Sequence, residues 1–203
     1  MSEFLTVPSG VALLVFLSAA LSIAAYLPYI GDTLRGRTRP QRASWLIWSV
    51  LGSIAFASQL YEGAQGTLWF AGAQVSGTIT VFVLSLWRGK GELLSPVDVL
   101  ALGVAAIGLV LWHLTDTAAY ALAITISISM LGGVLTILKT YRDPGSETTI
   151  TWILSFCASV CTIAAAGTVN PVILAYPVYL LVLNGGIILA IMLGRQGQTR
   201  HAG

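Results

Sequence analysis

Two carboxamides, Gln74 and Asn184, are the side chains best suited to hold a polar solute without placing a charge in an apolar setting. An amide offers two donors and an acceptor, so a pair facing one cavity could grip a hydroxyl-rich or amide-bearing molecule. Each stands in a long apolar run, and each is closely followed by glycine, at Gly77 or at Gly185 and Gly186. Ser76 shares the run of Gln74, Ser155 supplies a hydroxyl in another run, and Trp48 could stack on a sugar or base ring. The expected substrate-binding set is therefore Gln74, Asn184, Trp48, Ser76 and Ser155. A second reading competes with it: polar side chains in membrane bundles often bond helix to helix, at about 0.6 kcal/mol apiece, and an indole often only fills space.

Other chemistries lack their parts. Hydrolysis needs a nucleophile with a base, a metal or paired carboxylates, and the only histidines are His113, at the edge of an apolar run, and His201, in a polar tail. His113 follows Trp112 and reads as an interfacial ring. Cys157 and Cys161 are one helical turn apart, but two thiols without a nearby His or Asp make an incomplete metal site, and they read as small core residues. Asp32, Asp143 and Glu147 lie near Arg and Lys and read as their partners. The expectation is no enzyme, with no catalytic residues, no metal and no cofactor.

The elements that must position the polar groups are set by composition. Hydrophobic residues make up 56% of the 203, charged residues 9%, and mean hydropathy is +0.85, far from a soluble domain. A hydrocarbon core about 30 Å thick needs roughly 20 apolar residues per helix. Such stretches lie near 11–30, 44–61, 67–87, 97–114, 118–138, 149–167 and 172–193, which predicts an all-α integral membrane domain of seven spans. No Asp, Glu, Lys or Arg lies deep in any of them, so ion-coupled pumping is disfavoured. No basic residue precedes the first run, which reads as a retained span rather than a cleaved leader.

All ten Lys and Arg fall in alternate gaps: Arg35, Arg37, Arg39 and Arg42, then Arg88 and Lys90, Lys139 and Arg142, and Arg195 and Arg200. Glu3, Glu62 and Asp116 occupy the other gaps without a cation. The positive-inside rule then predicts a multi-pass protein of the cell membrane with its N-terminus outside and its C-terminus in the cytoplasm. Net charge of +2 reports topology and contact with anionic lipid, and no nucleic acid is implied. Trp45, Trp87 and Trp152 are expected at the cytoplasmic rim, and Trp69 and Trp112 at the outer one. Ser95-Pro96-Val97-Asp98 and Asn170-Pro171 carry helix-start signals.

Shifting the chain by 107 residues lays Thr33-Leu34-Arg35 on Thr140-Tyr141-Arg142 and Ser44-Trp45 on Thr151-Trp152. The same shift lays spans one and two on five and six and nearly lays three on seven, bringing Gln74 close to Asn184. Two parallel three-helix repeats, 1–93 and 117–203, joined by a linker helix over 94–116, are the result, since a three-helix unit must recross before repeating. This layout resembles the SWEET and PQ-loop superfamily, which includes sugar facilitators, nicotinamide riboside transporters and retrieval receptors. Leu27-Pro28-Tyr29-Ile30 followed by Arg35, Arg37-Thr38 and Ser44 is similar to the PQ-loop pattern. Tyr29 stands where that motif has glutamine, and the second repeat reads Val134-Leu135-Thr136, without the proline.

The resemblance implies an amide pair on spans three and seven and tryptophans on spans two and six around the substrate. Trp45 and Trp152 look too close to the headgroups for that, leaving Trp48. The function expected is a facilitator that moves a neutral polar solute, a sugar or a nucleoside- or vitamin-like molecule, by alternating access. Pro28 and Pro177 are candidate hinges, with helix termination the plainer reading of Pro28. The alternative is a non-transporting receptor or accessory protein on the same scaffold, with Arg35, Arg37, Arg39 and Arg42 meeting an acidic partner. The partners expected are the lipid bilayer and a small neutral solute; a homo-oligomer is compatible with the pattern.

Overall fold

The computed structural model describes residues 9–38, 40, 42–89, 96–145 and 147–201. The readings attached to residues 1–4, Arg39, Gln41, Lys90 and Ser95 lie outside these, as do the side chains of Asp98, Lys139, Arg200 and His201. The described chain is all-helical: α1 Ser9–Leu34, α2 Arg42–Tyr61, α3 Gly66–Arg88, α4 Pro96–Thr115, α5 Ala118–Arg142, α6 Thr149–Ala165 and α7 Pro171–His201.

Local chemistry sets the helix ends. Gly36, at φ 73°, takes the left-handed conformation that lets the chain leave α1, with its N–H bonded to the Thr33 carbonyl at 3.1 Å. Asn170 caps α7, its Oδ1 accepting from the Val172 N–H at 2.9 Å. α1 continues through Pro28 to Leu34, which corrects the reading of Pro28 as a terminator. Pro177 likewise lies inside α7 and is fully buried.

Three of the helices, over Gly10–Leu34, Gly66–Arg88 and Pro171–Gln198, are long and apolar enough to cross a bilayer. α6 has only 17 residues, below the roughly 20 that a span needs. In α2, Ser44, Ser49, Ser53, Ser58 and Gln59 dilute the apolar sequence. Three of those five, Ser49, Ser58 and Gln59, are buried, the last two fully, and Ser44 and Ser53 are half-buried. A surface rich in exposed Leu, Ile, Val and Phe completes the picture of a membrane protein, including Leu13, Phe16, Ile107 and Val182.

Two helix triplets pack by one plan. α3 lies against both α1 and α2, and α7 against both α5 and α6. The triplets meet through α1 on α6 and α2 on α5, while α4 leans mainly on α5. At one end of the bundle the α1–α2 and α5–α6 turns touch, with the Thr38 and Thr148 hydroxyls 3.3 Å apart and Thr148 donating to Asp32 at 3.2 Å. At the same end Arg42 donates to the Ser85 carbonyl at 3.0 Å and Arg195 to the Thr149 hydroxyl at 3.2 Å. At the opposite end the Tyr61 hydroxyl donates to Asp116, and the Asn170 amide to Glu62 at 3.4 Å. The helix ends therefore sort the described cations: Arg35, Arg37, Arg42, Arg88, Arg142 and Arg195 share the first end, and Glu62 and Asp116 mark the second.

Candidate functional site

A cavity of about 70 Å³ lies where the triplets meet, touched by every helix except α4. At roughly 10–15 Å³ per water it has room for about five. Trp48, Gln74, Ser155 and Asn184 all line it, so four of the five expected residues converge on one space. Ser76 does not: it stands on the exposed face of α3. Two positions along a helix is a turn of about 200°, which carries Ser76 to the side opposite Gln74. The same rotation takes Cys157 away from Ser155 to the outside, correcting its reading as a core residue, while Cys161 is half-buried. His113 is exposed in the last turn of α4.

Trp45 and Trp152, expected at the rim, are buried and line the cavity instead. The turns that precede their helices fold back over them, with Thr38 and Pro40 buried and Thr148 tied to Thr38. Neither Pro28 nor Pro177 lines the cavity, but each adjoins a tyrosine that does, Tyr29 and Tyr176.

Four tyrosines were missing from the expected set, in two pairs of equal spacing: Tyr26 with Tyr29 on α1, and Tyr176 with Tyr179 on α7. Three residues is just under one helical turn, so both members of a pair share a face. That repeated spacing was the signal in the sequence that could have found them. Tyr176 reaches across from α7 to Gly52 of α2, its hydroxyl coming to 3.5 Å of where a Cβ would stand. Tyr179 is set beside Ser129 of α5.

The wall made by the first triplet is internally bonded. The Tyr26 hydroxyl donates to Gln74 Oε1 at 2.6 Å, and its ring presses so closely on Gly77 that no side chain fits there. The Trp45 ring packs tilted on the Tyr29 ring, the two centres 5.0 Å apart, and Trp48 meets Trp45 edge-on at 5.3 Å and 83°. Ser49 donates to the Trp45 carbonyl at 2.7 Å.

The wall made by the second triplet is not. Asn184 Nδ2, Trp152 Nε1, Thr151 Oγ1 and the Tyr179 hydroxyl are buried and have no hydrogen-bond partner, with Asn184 only 2% exposed and Trp152 8%. Leaving a buried polar group unpaired costs about 1–3 kcal/mol, so four among the lining residues of one triplet call for a physical reason. No Asp, Glu, Lys, Arg or His is among the lining residues. What the arrangement offers is neutral: aromatic faces around N–H and O–H groups that a bound molecule or water could satisfy. No protein-family model, curated protein or solved structure matched the chain in comparison.

Proposed function

We propose that the chain is a seven-span membrane carrier for a small neutral solute, built from two parallel three-helix repeats with α4 as their linker. The observation that carries this reading is the uncharged aromatic cavity between the triplets, on which both amide residues, Gln74 and Asn184, converge. The repeat is supported by the matching packing of α1, α2 and α3 with α5, α6 and α7, and by the equivalent turns meeting at one end.

With the positive end in the cytoplasm, Trp45 and Trp152 lie between the cavity and that side. The Thr38, Thr148 and Asp32 contacts join the triplets above them and must part for the solute to leave inward. On the far side α1 and α6 bring buried small residues together, Ser18, Ser22 and Ala25 with Ala158, Ser159 and Thr162. Small residues allow close backbone approach and separation with little side-chain rearrangement. Rocking one triplet on the other would open these two closures in turn, with Pro28 and Pro177 as points of weakened helix bonding.

With no charge at the cavity, movement is downhill and needs no proton or sodium gradient. The test is counterflow in proteoliposomes preloaded with unlabelled ribose, glucose, uridine or nicotinamide and challenged with the labelled form. Saturable exchange of at least one solute, unchanged by proton and sodium ionophores, is expected. Absence of exchange across this panel and across related neutral solutes would overturn the carrier reading.

A further inference from the structure

Trp48, Gly52, Ala55, Gln59 and Glu62 stand three or four positions apart on α2, so they share one face of that helix. Trp48 and Gly52 border the cavity, and the Tyr176 hydroxyl of the other triplet comes to 3.5 Å of where a Cβ on Gly52 would stand. One turn outward, Ala55 joins a packed cluster with Ala71, Leu122 and Tyr176, from α3, α5 and α7. At the far end Glu62 accepts from the Asn170 amide at 3.4 Å, reaching the turn between α6 and α7. The face therefore meets the second triplet at its start, its middle and its outer end.

Gln59 lies between Ala55 and Glu62, about 10 Å along the helix from Gly52. Its side chain is fully buried, and neither Oε1 nor Nε2 has a hydrogen-bond partner. Thr67 stands four residues outward of Ala71 on α3, as Gln59 does of Ala55 on α2; it is 1% exposed and its Oγ1 is also unpartnered. Neither residue borders the cavity, because the cluster of Ala55, Ala71, Leu122 and Tyr176 comes between. The first triplet gives that cluster only methyl groups, and its bulky members belong to the second. Movement of the second triplet away from the first would open it with α2 and α3 left as they are.

We infer that this face of α2 walls the outer path of the solute, shut in this structure, and that Gln59 with Thr67 is a second polar station on it, wetted when the outer ends of the triplets part. This rests on the proposed carrier. A carboxamide and a hydroxyl each offer donor and acceptor, so the station suits water and the hydroxyl or amide groups of a neutral solute, and it puts no charge in the path. Gln59 does not tie α2 to a neighbouring helix here, since both its amide atoms are unbonded.

The test is a thiol scan of the full chain in lipid nanodiscs. With Cys157 and Cys161 replaced by alanine, single cysteines are placed at each position from Ile54 to Leu60 and treated with a charged, water-soluble methanethiosulfonate. Ala55→Cys and Gln59→Cys are expected to react about fivefold faster, or more, than Ile54→Cys, Ala57→Cys and Leu60→Cys, a helical period that fraying of the helix end does not produce. Gln59→Leu, which takes away two unbonded polar atoms, is expected to leave the SDS unfolding midpoint level or raised and to slow counterflow in proteoliposomes several-fold. Reactivity that falls smoothly from Leu60 inward, an unreactive Gln59→Cys, or a lowered midpoint in Gln59→Leu would overturn the inference. So would counterflow at the parental rate once Gln59→Cys is fully modified. Periodic reactivity without counterflow of any neutral solute would retire the carrier and leave the outward opening standing. Counterflow with an unreactive face would retire the outer path along α2 and leave the carrier.

Discussion

The two helix triplets share a packing plan and differ in how they treat the polar groups they bring to the cavity. In the first, the Tyr26 hydroxyl bonds Gln74 and the Tyr29 ring packs on Trp45. In the second, Asn184 Nδ2, Trp152 Nε1, Thr151 Oγ1 and the Tyr179 hydroxyl have no partner. Two triplets of like packing thus differ in how far their buried polar groups are paired. Buried unpaired donors lower stability, and sites that bind are where such local inconsistency is tolerated.

Filling the closed wall should have the largest effect. A Cβ at Gly77 would overlap the Tyr26 ring, so Gly77→Ala is expected to lower unfolding free energy by about 1–3 kcal/mol in an SDS titration. Gly133→Ala meets only the flexible end of Leu183 and should lower it by less than half as much. Equal losses would erase the distinction between the triplets at this level.

Next come the amides. Gln74→Leu strands the buried Tyr26 hydroxyl and should destabilise by about 1–3 kcal/mol, whereas Tyr26→Phe should cost about 1 kcal/mol. A double-mutant cycle on these two should return a coupling of about 0.5–1.5 kcal/mol. The indoles sharpen the comparison with smaller effects. Trp45→Phe trims an indole packed on both Tyr29 and Trp48 and is expected to lower stability, while Trp152→Phe, which removes an unpartnered N–H, should change it less. The smallest change belongs to the exposed end: Arg37 lies 3.8 Å from Asp32 but is 73% exposed, so Arg37→Ala should shift stability by only ~0–1 kcal/mol.

Much of the helical frame was readable in the chain because apolar runs of span length leave few other folds, and Asn170-Pro171 marks the start of α7 as a cap should. Gln74 and Asn184 were legible for the same reason: amides stand out against apolar neighbours. Tyr26 and Tyr29 were not, since an aromatic in an apolar run looks like packing until its partner is known, and the partner of Tyr26 lies 48 positions away. Trp45 and Trp152 stand near the ends of their apolar runs yet are buried, because the folded turns at Thr38 and Thr148 cover that end. Ser76 failed for a rotational reason: nearness in sequence to Gln74 put it on the opposite face. The division between a closed and an open wall needed both the repeat and the contacts, neither of which carries it alone.

The most direct test of that division needs no ligand: the unfolding free energies of Gln74→Leu and Asn184→Leu, measured side by side in SDS without solute. Gln74→Leu is predicted to fall by about 1–3 kcal/mol, and Asn184→Leu to stay level or rise, because it deletes a buried amide whose donor has no partner. A comparable loss in both variants would contradict the account, since Asn184 would then be as firmly bonded into its triplet as Gln74 is into the other.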